Sequence, residues 1–252
     1  MHDLVLKKII KKRFSCHRSI ISDGFEENSL EAIRAAFKYN LPFIEFDIML
    51  ADDGKMRTGH PPQKPADDLK DILSFFEEKQ IYPKIDIKSK LPKQNKEAIN
   101  KTLHIIGQKR IPFVLITLDS ANLNSKDFMY YELFLANCIK NKPKIKLSID
   151  LAKYKKETKN TDKQIKKHIK NLGSAIHTLA AEIHENDPDK IVKFAKENNI
   201  KTINFWLRGW PDVTEPMVSE ETILSAFDLE QKYGVKIYFD MHSEYVVPTS
   251  ST

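Results

Sequence analysis

Eight short apolar runs alternate with longer amphipathic segments along this chain of 252 residues, and that alternation limits the folds open to it more than any other feature. The strand candidates are Arg13–His17, Phe43–Leu50, Tyr82–Lys88, Phe113–Leu118, Lys144–Ile149, Thr178–Ile183, Thr202–Leu207 and Lys236–Phe239. Between them, apolar residues recur at helical spacing in Ser29–Tyr39, Ala66–Lys79, Lys93–Gln108, Asp187–Asn198 and Ser219–Tyr233. Asn28 or Ser29 suits the cap of the first of these, and Pro188 after Asp187 falls at a first-turn position where proline costs no hydrogen bond.

Eight strand–helix alternations in about 250 residues are the pattern of a closed (β/α)8 barrel, the TIM barrel. An open doubly wound sheet would carry a glycine-rich phosphate turn after its first strand; this chain has seven glycines and no such turn. Roughly ten residues follow the eighth run, so the last helix is expected to be missing or reduced, with His2–Ile10 a candidate cover for the barrel bottom. With no repeat, low-complexity segment or linker, residues 1–252 read as one domain.

The second run reads Phe43-Ile44-Glu45-Phe46-Asp47-Ile48-Met49. Side chains alternate across a strand, so Glu45 and Asp47 share one face while Ile44, Phe46 and Ile48 share the other. Burying two like charges together costs on the order of several kcal/mol unless something positive holds them, and a divalent cation is the natural partner. The third run repeats the device, with Lys84, Asp86 and Lys88 on one face and Ile85 and Ile87 on the other. His17 and Arg18 end the first run, and His60 follows the second. Barrel active sites lie at the C-terminal ends of the strands, which is where these residues fall. Asp119, Asp150, Glu182, Trp206 and Asp240 also end strands, but each alone reads first as a helix cap or polar rim.

Composition narrows the classes further. Hydrophobic residues make up 41% and charged residues 30%, and no apolar stretch approaches the roughly 20 residues of a membrane span. Lysines interrupt the N-terminus too early for a signal peptide, and Cys16 and Cys138 alone make no disulfide framework, so a cytoplasmic setting is expected. The net charge of +6 favours anionic substrates and transient contact with a membrane surface. Lys153–Lys170 is lysine-rich but has one aromatic and no arginine; it reads as a solvated loop and helix face rather than a nucleic-acid surface.

These motifs together resemble the glycerophosphodiester phosphodiesterase family. His17-Arg18, Glu27-Asn28-Ser29 opening a helix with Ala35-Ala36, Ile44-Glu45-Phe46-Asp47, Asp53-Gly54 and His60 follow its signature in order. More loosely, Lys84 to Lys88 takes the place of its Glu-Ile-Lys strand, Asn204-Phe205-Trp206 of its late tryptophan strand, and Gly234 to Asp240 of its closing strand. Ser19 stands where the family has the glycine of His-Arg-Gly, Pro61 where an aspartate follows the second histidine, and Asp86 where the third ligand is glutamate. Only 25 residues separate His60 from Asp86, too few for the insertion that covers the site in glycerophosphodiester-cleaving members. The Asp-x-Lys strand without it is similar to sphingomyelinase D-type and menorin-type members.

The resemblance implies a divalent-metal phosphodiesterase acting on a glycerophosphodiester or lysophospholipid-like substrate. It implies Glu45, Asp47 and Asp86 as ligands of Mg²⁺ or Ca²⁺, His17 and His60 as acid–base pair, Arg18 and Lys88 on the substrate phosphate, and Glu27 and Trp206 as site support. The chemistry agrees: an all-oxygen set suits a hard cation, imidazole suits proton transfer near neutrality, and Arg and Lys share phosphoryl charge. Zinc would prefer cysteine or histidine ligands, and Cys16 is expected to point away from His17 along the strand. Which histidine is acid and which is base stays open at this point, as do the oligomeric state, a sphingomyelinase D-like transesterification giving a cyclic phosphate, and a non-catalytic phospho-ligand-binding barrel.

Overall fold

The computed structural model describes residues 12–19, 24–60, 66–88, 95–119, 125–151, 154, 161–183, 187–206 and 220–241. Its strands are β1 Phe14–Cys16, β2 Phe43–Leu50, β3 Met56–Thr58, β4 Tyr82–Lys88, β5 Val114–Asp119, β6 Ile145–Asp150, β7 Ile176–Glu182, β8 Thr202–Trp206 and β9 Lys236–Met241. Its helices are α1 Leu30–Phe37, α2 Leu69–Lys79, α3 Asn95–Gln108, α4 Ser125–Ile139, α5 Asp162–Leu172, α6 Pro188–Glu197 and α7 Glu220–Tyr233. Eight of the strands run parallel in the order β1-β2-β4-β5-β6-β7-β8-β9, and β9 pairs with β1 to close the barrel. The ninth, β3, is a short antiparallel hairpin on β2, turned through Gly54 at φ 77°.

The predicted β2 and β4 match residue for residue, and β5, β6 and β7 lie within two residues of their predicted positions. β1 ends one residue early, so His17 leaves the sheet on a tight turn, His17–Ser19. The last helix and His2–Ile10 both lie outside the described residues. Local chemistry sets the helix starts as expected. The Ser29 hydroxyl accepts from the Ala32 amide at 3.0 Å, and Asp187 caps α6 ahead of Pro188. Among the described residues no helix is long and apolar enough to cross a membrane.

The apolar core lies between barrel and helices. Ile44, Phe46 and Ile48 of β2 and Ile85 and Ile87 of β4 are all buried there, with the Phe46 ring 5.6 Å from Phe76 of α2. Each such side chain contributes about 1.5–3 kcal/mol relative to exposure. The barrel interior is different. Its N-terminal end carries a floor of rings, with Phe43 lying 5.3 Å from Tyr238, 5.9 Å from Tyr82 and 6.1 Å from Phe113. Above it the lining turns polar, with Ser15, Glu45, Lys84, Ser148, Asn204 and Asp240 all buried. A closed sheet with such a lining spends its apolar faces on the helices and keeps its axis for chemistry.

Candidate active site

Two adjacent strands supply the carboxylates. β2 and β4 pair with Glu45 opposite Lys84 and Asp47 opposite Asp86, so the alternation of both strands aims all four inward. One carboxylate oxygen from each of Glu45, Asp47 and Asp86 lies within 4.8 Å of the other two, and all three residues are buried. Glu45 Oε1 and Asp86 Oδ1 accept no hydrogen bond among the described residues, while Asp47 Oδ1 faces Lys88. Burial, reinforced by the charges of Asp47 and Asp86, pushes the Glu45 carboxyl well above its usual range. Burial also pushes Asp47 up to about 6, with Asp86 adding to the rise and Lys88 and Arg18 opposing it. Three converging buried carboxylates, two of them with an uncommitted oxygen, fit a hard divalent cation.

Cationic side chains close around this cluster. Lys88 Nζ stands 3.3 Å from Asp47 Oδ1 and 3.8 Å from Asp86 Oδ2. Arg18 reaches Asp47 Oδ2 at 3.4 Å through Nε and donates to Glu27 at 2.9 Å through Nη1, so Glu27 orients the guanidinium from its outer side. The Arg18 amide donates to Glu45. Asn28 grips Asp47 from both ends, accepting from its amide at 2.7 Å and donating to its carboxylate at 3.4 Å. Asn28 sits at φ 62°, a left-handed conformation that asparagine tolerates better than most residues.

Ser19 accounts physically for one departure from the family signature. It is fully buried at φ 60°, where a Cβ costs roughly 1–2 kcal/mol and glycine is the usual choice. Its hydroxyl donates to the Glu45 carbonyl at 2.8 Å, which offsets the strain and ties the turn to the ligand strand.

His17 lies over the same cluster. Its Nδ1 is 3.5 Å from Glu45 Oε2, and its ring is 6.5 Å from that of Trp206, which is partly buried at the end of β8. Burial is the main reason that its pKa falls to about 3, despite the opposing pull of Asp240; it therefore stands neutral. Cys16, one residue earlier, is buried in the apolar core, as the alternation predicted. His60 follows the β2–β3 hairpin and is partly buried. Its surroundings are pinned by Gly59 N donating to Asp47 O at 3.1 Å and by paired backbone bonds between Thr58 and the 66–67 segment.

Asp240 departs from its reading as a cap or rim residue. It is buried inside the barrel and forms an ion pair with Lys84, itself buried. Ser15 donates to it at 2.8 Å and Asn204 at 3.4 Å. Burial opposes charge on both partners, yet Asp240, Asp86 and Glu45 together hold the Lys84 ammonium above its ordinary range, and Lys84 holds Asp240 below its own. One oxygen of Asp240 also lies within 4.8 Å of His17 and Glu45, which makes a second possible ligand set. With Lys84, Ser15 and Asn204 already on Asp240, the Glu45, Asp47 and Asp86 set is the better cation site. Asn28, Ser19, Lys84 and Asp240 are thus site residues beyond those named from the sequence. The alternation had put Lys84 beside Asp86, the resembled signature had included Asn28 and the position of Ser19, and Asp240 had stood among the strand ends, but none of the four had been given a role in the site.

The geometry has relatives in known structures. No protein-family model matches the chain, and no curated protein matches it in sequence. Solved structures do. The chain resembles an Oleispira antarctica phosphodiesterase in complex with its product sn-glycerol-3-phosphate, at 13% identity and TM-score 0.62, covering 93% of this chain and 94% of that one. It resembles a Parabacteroides distasonis glycerophosphodiester phosphodiesterase at 12% identity and TM-score 0.61, covering 92% and 93%. A candidate α-L-fucosidase from Bacteroides thetaiotaomicron is as similar in fold, at 11% identity and TM-score 0.61, covering 92% and 85%. At such identities the likeness establishes the barrel shared with these proteins; the chemistry has to be argued from the site.

Proposed function

We propose that this protein is a divalent-metal-dependent phosphoric diester hydrolase of the glycerophosphodiester phosphodiesterase type, with one active site at the C-terminal end of the barrel. One observation carries the reading: three buried carboxylates converge within one ligand shell, those of Glu45 and Asp86 each with an uncommitted oxygen, bordered by Arg18, Lys88 and a neutral histidine. The sn-glycerol-3-phosphate in the Oleispira structure supports a small glycerophosphodiester as substrate.

Glu45, Asp47 and Asp86 would hold Mg²⁺ or Ca²⁺, which when bound draws charge from the phosphoryl oxygens as it builds during displacement. Arg18 and Lys88 add positive charge at the same place, the first as a planar fork held by Glu27, the second as a point charge. His17 and His60 divide the proton work, one taking a proton from the attacking water and the other protonating the departing oxygen. Trp206, a ring's width from His17, forms the apolar side of the substrate pocket. Phosphorus NMR of a panel of glycerophosphodiesters, lysophospholipids and sphingomyelin, each with Mg²⁺ or Ca²⁺, tests this reading. Metal-dependent release of a phosphomonoester is the expected result; no turnover of any diester would overturn it.

A further inference from the structure

The chain carries a net charge of +6. A hollow of about 990 Å³ opens between α5 and α6, lined by Lys146, Lys163, Lys166, Lys167, Lys170 and Lys201, with Glu197 the one carboxylate among the described lining residues. Glu197 is engaged by Lys166 at 3.1 Å, and Lys146 donates to the Ser174 carbonyl at 2.9 Å. Among the described residues, Lys163, Lys167, Lys170 and Lys201 make no ion pair. His177, on the same wall, has its pKa lowered first by burial and then by Lys146, Lys201 and Lys236, which is the mark of a positive local potential. A solvated helix face would account for the α5 lysines alone. It does not account for Lys146 and Lys201, on other elements, converging on the same hollow.

We propose that this hollow is a binding site for a compact soluble polyanion carrying two or more phosphate groups. Its volume lies in the range of small-ligand sites, roughly 300–1,000 Å³. Flexible ammonium groups suit several phosphates without demanding one orientation. Direction separates this ligand from a bilayer. Lys146 and His177 begin β6 and β7, and Lys201 precedes β8, so the hollow faces away from the C-terminal strand ends that hold the carboxylates. Docked on a membrane through these lysines, the protein would turn its active site from the lipid. A nucleic acid is disfavoured because the described lining has no arginine and no ring except His177 for a base to stack on.

Isothermal titration with inorganic tripolyphosphate in metal-free buffer at about 150 mM salt, an ionic strength that screens loose surface attraction, tests the site. Saturable binding is expected, weakened about tenfold or more in Lys167→Gln/Lys170→Gln. Lys201→Gln, on a different element, should weaken it too, and Lys88→Met should leave it unchanged; melting curves confirm that each variant is folded. Absence of saturable binding overturns the proposal. So does affinity that survives the lysine substitutions and vanishes with Lys88→Met, which would put the phosphates in the active site. Tighter, lysine-dependent binding to phosphatidylserine vesicles or single-stranded RNA than to tripolyphosphate would replace it with a macromolecular partner.

Discussion

Replacing Asp47 with asparagine should make the cation-free protein more stable at neutral pH. Asp47 is buried beside Asp86, and its pKa rises from 3.8 to about 6. At about 1.4 kcal/mol per pH unit, its ionisation in the folded protein is disfavoured by about 3 kcal/mol relative to the unfolded chain. The sign follows: a raised folded-state pKa contributes stability that is present below about pH 4 and lost as pH rises through about 6. Asparagine keeps the shape and never ionises. In EDTA at pH 7 the Asp47→Asn protein should therefore melt about 6–12 °C higher, at 2–4 °C per kcal/mol for a chain of this size. The gap should close as pH falls toward 4. His17 runs the other way, its lowered pKa contributing stability that is lost as pH falls below 6.5, but it is common to both proteins and cancels in the difference. Circular-dichroism melts of both proteins from pH 4 to 8 measure this directly. Adding Mg²⁺ or Ca²⁺ at a hundred times Kd should raise wild type by about 2.7 kcal/mol and nearly erase the gap. An Asp47→Asn protein less stable than wild type in EDTA at pH 7, or a gap indifferent to pH, would refute the argument.

Replacing His17 or His60 with alanine should each lower diester turnover by about 10²- to 10⁴-fold, with the double variant far milder than the product of the two, as phosphorus NMR would record. Additive losses would mean that the two do not serve one transition state. Lys84→Met leaves Asp240 charged and buried and should cost about 3–5 kcal/mol in urea unfolding, most of it regained in Lys84→Met/Asp240→Leu; no recovery in the double variant would show the loss to be packing alone. Ser19→Ala should destabilise by about 1–3 kcal/mol, because it keeps the left-handed backbone and removes the bond to the Glu45 carbonyl. Ser19→Gly should lose less, and the reverse order by urea titration would count against the strain argument.

Where one face of a strand had to be buried, the sequence was informative. Phe43–Leu50 and Tyr82–Lys88 were legible to the residue because isoleucines and phenylalanine on one side and charges on the other leave a single register for each strand. Asp240 was illegible for the opposite reason. A lone aspartate at a strand end looks the same whether it faces solvent or an ammonium across a closed barrel, and its partner Lys84 lies 156 residues away. Ser19 was hidden by backbone conformation, since serine does not announce a positive φ. The hairpin strand β3 is three residues long, too short for alternation to register.

The ring floor at the N-terminal end of the barrel has a kinetic consequence. Phe43, Tyr82, Phe113 and Tyr238 gather beneath Glu45, so on the proposed reading cation, substrate and product would share the doorway at the opposite end. Traffic through a single doorway is ordered. On the proposed reading, a cation held by Glu45, Asp47 and Asp86 would enter before the diester and leave after its products, and a chelator would reach it only between turnovers. Saturating substrate would then slow the stripping of metal in proportion to the time the doorway is occupied.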